Sequence, residues 1–269
     1  MLEHIEFGNY NNIVVKVGSA LIAPDGHSCS AEYCLPIAHF VRKCRKAGKQ
    51  VTLVSSGAVA AGFNLLKPDY DTLTRKEKQP LAAVGQSMVV AHWQRFFDDV
   101  VAQVLLTSAD IKNPERAQNA RNTFKTLEEL GALPIVNEND TVATEELTVG
   151  DNDNLVAQVA ALTNADLLII CSDIDGVYDD NPKVNPDAEL VNQFEGISEE
   201  ALAMGKQSTS AQGTGGMRTK LKAAKFASEN GIDTIICNGT NESYMRLFSN
   251  QNPGTLVRNT AEKDDVEVA

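Results

Sequence analysis

Six short apolar runs, most of them rich in β-branched residues, alternate with stretches of helical periodicity, and no other feature constrains this chain as strongly. Ile13-Val14-Val15-Lys16-Val17, Val51 to Val54, Val101 to Leu106, Leu133 to Val136, Leu167 to Cys171 and Ile232 to Cys237 read as buried strands. Helices are expected over Ala31 to Ala47 and in the small-residue stretch after Gly57. Others are expected from about Gln79 to Phe97, from Asn113-Pro114 to Leu130, over Leu155 to Leu162, from Leu221 onward and over Asn241 to Ser249. Such alternation predicts an α/β fold, a three-layer αβα sandwich with a mostly parallel central sheet. Ligands of such sheets bind beyond the carboxyl ends of the strands. The residues just past each strand are therefore where chemistry is to be sought.

With 269 residues and 43% hydrophobic content the chain can bury a full core, as one large domain or two lobes. Twenty-four basic against 36 acidic residues leave a net charge of -12, which argues against a nucleic acid or an anionic membrane as partner. The five cysteines contain no C-x-x-C pair, and Cys171 and Cys237 end apolar runs, so buried thiols in a reducing compartment are expected. The N-terminus lacks the basic and apolar regions of a signal peptide, and no apolar run reaches the ~18 residues of a membrane helix. A cytoplasmic protein is the expectation.

Several strand ends carry polar residues. Lys16 lies inside the first strand; it either emerges into a site at the strand's end or is an edge-strand lysine facing water. Ser55-Ser56-Gly57 leads into a small-residue helix, which suits an anion or simply close packing on the sheet. Asn137-Glu138-Asn139-Asp140 and Gly150-Asp151-Asn152-Asp153-Asn154 form two amide and carboxylate clusters at strand-helix switches. One such cluster is usually a solvated turn; two about a dozen residues apart point to a polar site. A calcium loop at Asp151 to Asp153 is discounted, since the glycine and glutamate of an EF-hand are missing. Gly213-Thr214-Gly215-Gly216 runs into Met217-Arg218-Thr219-Lys220, a helix start able to seat phosphate or to serve only a tight turn. Its spacing is neither the Walker loop nor the dinucleotide fingerprint.

The four histidines, His4, His27, His39 and His92, lie outside this set, so triad hydrolysis and zinc chemistry are poorly supported. Phosphoryl transfer fits better, because it depends on positioning and charge neutralisation. A carboxylate acceptor, ionised at neutral pH with a pKa near ~4.3, needs no general base.

These residues resemble the amino acid kinase family, and within it the branch that phosphorylates the side-chain carboxylate of L-glutamate. The stretches IVVKVGSALI, VSSGAVAAG, LAAVGQS, NENDTVAT, VGDNDNL and GTGGMRTK carry the resemblance over about residues 12 to 257. NEND followed by GDNDN distinguishes that branch from relatives acting on acetylglutamate, aspartate, carbamate or UMP. The resemblance implies that Lys16 and Lys220 stabilise the transferring phosphoryl group and that Asp153 holds them. It implies that Ser56, Asp140, Asn152 and Asn137 bind glutamate, with the Ser56-Gly57 turn at the α-carboxylate and Asp140 at the α-ammonium. Ser172, Asp173, Thr214, Gly215, Gly216, Met217, Arg218, Thr219 and Lys220, with Lys16, would bind ATP, which brings Mg2+ held mainly by its own phosphates. Proline as a feedback inhibitor and a homo-oligomer are further implications.

Departures are Ala20 and Arg218, where relatives often carry small hydroxyl residues, and Ser172 in place of a more familiar threonine. Residues 1–258 are expected to form the kinase domain, glutamate-binding in its N-terminal part and ATP-binding in its C-terminal part, followed by an acidic tail over 259–269. Many relatives append an RNA-binding-like PUA domain, which this chain is expected to lack. Alternatives are another small-molecule kinase of the family, or a non-catalytic amino-acid sensor whose mark would be loss of a site lysine or of the aspartate.

Overall fold

The computed structural model describes residues 4–67, 74–143, 152–182, 184–205 and 216–261. In chain order the first half comprises β1 (Asn12–Val17), α1 (Ser19–Ile22), α2 (Ala31–Lys46), β2 (Gln50–Ser55), α3 (Ala58–Leu66), α4 (Arg75–Gln94), β3 (Val101–Leu106), α5 (Ser108–Lys112), α6 (Pro114–Glu129) and β4 (Leu133–Glu138). There follow α7 (Asn152–Leu162), β5 (Leu167–Ser172), β6 (Gln193–Glu195), α8 (Glu199–Met204), α9 (Met217–Glu229), β7 (Asp233–Asn238) and β8 (Thr255–Arg258). All the strands join one sheet in the order β3-β4-β2-β1-β5-β7-β8-β6. Every pairing is parallel except β7 with β8.

The expected sandwich is present, and the two-residue period of β1 builds it. Ile13, Val15 and Val17 face one core with Phe40 and Val41 of α2 and Trp93 of α4. Val14 faces the other core with Val156 and Ala160 of α7 and Leu221 and Ala224 of α9. Lys16 has the parity of Val14. It pairs in register with Val54 on one side and Ile170 on the other, so it lies on a central strand. The edge-strand reading of Lys16 is thereby excluded.

Some boundaries differ from the sequence expectations, each for a local reason. α4 starts at Arg75 because Thr74 and Glu77 form a capping box, a T-x-x-E signal present in the sequence. α7 starts at Asn152, so Asn152 and Asp153 belong to its first turn and not to a preceding loop. The segment expected as a helix from Asn241 is a 3-10 helix over Ser243–Ser249, flanked by Glu242 and Asn250 with φ of 56° each. The short strands β6 and β8 are too brief to carry a readable pattern. The expected tail begins docked: Asn259 donates through its backbone N and Nδ2 to Asp233 at 2.8 and 2.7 Å. The sequence also suggests a small hairpin over Glu145 to Val149 and a polar loop from Lys67 to Lys78; the hairpin and residues 68–73 of that loop lie outside the described residues. Among the described residues, no helix is long and apolar enough to cross a membrane.

α3 and α4 meet backbone to backbone. A Cβ on Gly62 would lie 1.9 Å from the Leu81 carbonyl oxygen, and one on Gly85 would lie 1.9 Å from that of Ala58. Gly85→Ala should force the helices apart at a cost of about 3 kcal/mol, a fall in Tm of roughly 6–12 °C. Circular dichroism melting checks this; an unchanged Tm would mean the helices separate without cost.

Candidate active site

Three buried charges meet beyond the carboxyl ends of β1 and β5. The Lys16 Nζ lies 2.7 Å from Asp153 Oδ1, and the Lys220 Nζ lies 3.3 Å from Asp153 Oδ2. Lys16, Asp153 and Lys220 are 6%, 1% and 5% exposed, so all three are nearly dry. Each comes from a different element: Lys16 from β1 on the face covered by α7 and α9, Asp153 and Lys220 from the first turns of those helices. The N-terminus of α7 favours a carboxylate in its first turn. The Thr219 hydroxyl donates to Asp153 Oδ2 at 2.6 Å and fixes the carboxylate further.

Burial works against the Asp153 carboxylate, but the charges of Lys16 and Lys220 outweigh it and hold its pKa well below the ordinary carboxylate range. Lys220 is shifted the other way. Burial first, and the charge of Lys16 second, lower its pKa against the pull of Asp153. Two ammonium groups on one carboxylate leave a net positive charge where water is scarce. Such a site is built to receive an anion, and most strongly one whose charge grows during reaction.

Beside it runs an uncharged network. Asn152 Nδ2 donates to Asn137 Oδ1 at 2.8 Å, to Ser56 Oγ at 3.0 Å and to the Ser55 carbonyl at 3.3 Å. Asn137 Nδ2 donates in turn to Gln86 Oε1 at 2.6 Å. Asn137 and Ser56 meet because β2 and β4 are parallel neighbours, with Val54 opposite Val136. Gly57 shapes the turn after Ser56: its φ is +100°, and a Cβ there would lie 2.4 Å from Ile22 Cγ2. Asp140 is buried, and its carbonyl accepts from Gln79 Nε2 at 3.0 Å.

Of the predicted residues, Lys16, Asp153 and Lys220 therefore form one cluster, and Ser56, Asn137 and Asn152 form a second. The chain neighbours Asn152 and Asp153 join the two. Ser172 is the last residue of β5 and Asp173 follows it, with the Ser172 hydroxyl donating to Asp173 Oδ1 at 3.0 Å. Thr214 and Gly215 lie outside the described residues. Gly216 caps α9 and Arg218 is exposed, whereas the Met217 side chain packs into the core on the α7 side. Thr219 turns its hydroxyl to Asp153, a contact the glycine-rich reading of this stretch does not anticipate.

Gln79 and Gln86 are site residues the sequence reading gives no role. They stand two helical turns apart on the same face of α4, and that spacing among apolar neighbours was the available signal. A cavity of about 850 Å3 opens at the opposite end of the sheet, bordered by Arg42, Arg45 and Lys49. There Arg42 pairs with Asp98 and Arg45 with Asp99, and Lys49 donates to the carbonyls of Phe7 and Tyr10. The charged cluster beyond the strands' carboxyl ends is the better site, because two buried lysines and a buried carboxylate converge there.

Comparison with known proteins agrees with the fold. The profile of the amino acid kinase family matches residues 11–238. Glutamate 5-kinase 1 of Pseudoalteromonas translucida is 50% identical over 249 residues, 92% of this chain and 67% of that protein. The glutamate 5-kinase of Salinibacter ruber is 51% identical over 253 residues, 93% of this chain and 67% of its own length. The chain thus spans about two thirds of these relatives. Among solved structures, carbamate kinase from Giardia lamblia bound to AMP-PNP superposes with a TM-score of 0.62 at 18% identity, covering 94% of this chain and 99% of that one. UMP kinase from Bacillus anthracis gives 0.60 at 17% identity, covering 94% and 97%. At those identities the likeness establishes the fold.

Proposed function

Because the chain belongs to the amino acid kinase family, we propose that it transfers the terminal phosphoryl group of ATP to the side-chain carboxylate of L-glutamate. The product is L-glutamyl 5-phosphate, and the reaction is the first step of proline biosynthesis. The observation that carries this reading is the pair of buried lysines on Asp153, set beside a network of neutral amides. Half-identical relatives named glutamate 5-kinase support it.

A side-chain carboxylate oxygen attacks the terminal phosphorus, the bond to the bridging oxygen breaks, and ADP leaves with the electron pair. Charge builds on the transferring group, and Lys16 and Lys220 neutralise it. Asp153 holds both ammonium groups, at 2.7 and 3.3 Å. Ser56, Asn137, Asn152 and Asp140 bind the amino acid; Ser172, Asp173 and residues 214–220 bind the nucleotide. Mg2+ would come with ATP, held by the nucleotide's phosphates, and would add to the neutralisation of their charge. Asp153 is already committed to two lysines, and no group of three or more metal-ligating side chains gathers among the described residues.

The same reading assigns residues 1–258 to one kinase domain, glutamate-binding before ATP-binding, and 259–269 to an acidic tail. It also carries a cytoplasmic location, inhibition by proline and assembly into a homo-oligomer. A silent amino-acid sensor is disfavoured, because Lys16, Asp153 and Lys220 are all present and paired.

Incubation with MgATP and hydroxylamine tests the proposal. Hydroxamate should form from L-glutamate and not from L-aspartate or N-acetyl-L-glutamate. Absence of a glutamate-dependent product would overturn it.

A further inference from the structure

The geometry points to Gln86 as a further substrate-binding residue, one that donates a hydrogen bond to the backbone carboxylate of the amino-acid acceptor; this rests on the acceptor reading given above. One backbone group fixes the direction of the amide network. The Glu138 N–H donates to Asn137 Oδ1 at 2.9 Å. That oxygen is therefore an acceptor, and Asn137 must turn its Nδ2 towards Gln86. Gln86 meets it with Oε1 at 2.6 Å, which leaves the Gln86 Nε2 with no partner. The side chain is 7% exposed and the Nε2 itself is buried.

An unpaired buried amide is unfavourable, and native proteins keep few of them without a use. The contact with Asn137 does not explain it, since a glutamate at position 86 would accept from Asn137 equally well. The other end of the network shows the complementary deficit. Asn152 spends its Nδ2 on Asn137, Ser55 and Ser56, and its Oδ1 is buried without a partner. Three linked carboxamides thus end in a bare donor at Gln86 and a bare acceptor at Asn152. A carboxylate and an ammonium on one small molecule match that pair.

Position decides which carboxylate Gln86 takes. Asn152 adjoins Asp153 and the lysines, whereas Gln86 stands at the far end, beyond Asn137. The carboxylate that attacks phosphorus must lie near the lysines. The one that Gln86 holds is the other, on the backbone end of a diacid.

Gln86→Glu separates this role from a merely structural one. Its carboxylate still accepts from Asn137 but opposes the substrate's carboxylate. KM for L-glutamate should rise about 100-fold or more, while KM for ATP and kcat at saturation stay near those of the parent. Gln86→Met removes both contacts and covers the case in which the charged variant fails to fold. In either variant the preference for L-glutamate over 4-aminobutyrate, which lacks the backbone carboxylate, should collapse. An active parent whose Gln86→Glu form keeps its KM, or whose Gln86→Met form keeps its preference, overturns this inference alone. A parent with no glutamate-dependent turnover overturns it together with the proposed function.

Discussion

Asp153→Asn should abolish nearly all turnover, with kcat falling roughly 1000-fold, the equivalent of about 4 kcal/mol. Asparagine has the shape of aspartate and can accept from one lysine, but its Nδ2 would face the other ammonium group. Two buried cations would then share no anion. Breaking a buried ion pair in this way costs about 3–5 kcal/mol. The protein has one relief, because a lysine can shed its proton. Neutralising an ordinary lysine at pH 7 costs roughly 5 kcal/mol, and Lys220, whose pKa is already depressed by burial and by Lys16, sheds it more cheaply. Stability therefore falls by less than the full penalty, while catalysis loses a charge it needs. Tm should drop by roughly 5–15 °C. Steady-state kinetics and a thermal melt of the same preparation check both figures. Turnover within tenfold of the parent would remove Asp153 from its role.

Lys220 carries the second large effect. Lys220→Ala should lower kcat by about 100- to 1000-fold, the loss typical of one preorganised donor at a developing charge. KM for the amino acid should change little, because the amide network does not include Lys220. Its pH dependence offers a sharper test. Burial and the charge of Lys16 lower the Lys220 pKa, so the ammonium form is lost as pH rises through a value below the ordinary 10.5. Activity should accordingly show an alkaline limb beneath the usual lysine range. Lys220→Arg, whose guanidinium stays charged, should remove that limb even where its rate is lower. The stability sign is the reverse: between the depressed pKa and the ordinary one the unfolded chain binds more protons, so the Lys220 contribution to stability rises with pH. An alkaline limb that persists unchanged in Lys220→Arg would assign it to another group.

Much of the site was legible because its residues sit where the fold class puts chemistry. Lys16 interrupts a β-branched run, and a charge in such a run must be matched or exposed. Asn137 and Asp153 lie at strand-helix switches, where packing alone does not call for amides and carboxylates. The start of α7 was misplaced by three residues, since Asn, Asp and Asn at a helix start look like loop in a local window. Gln86 went unassigned because two glutamines sharing a helix face do not by themselves distinguish a ligand site from a solvated face.

The sequence by itself determined the parallel sandwich, the alternation that puts Lys16 on the same face of its strand as Val14, and the set of strand ends where a site can lie. Those follow from the two- and 3.6-residue periods, which are local. Only the tertiary structure decided that Lys16 and Lys220 share one carboxylate, and that Gln86, 51 residues from Asn137 along the chain, completes the amide network with a bare donor. Such contacts depend on strand order and on the close approach of α3 and α4 through Gly62 and Gly85. Neither is encoded in any single stretch of residues.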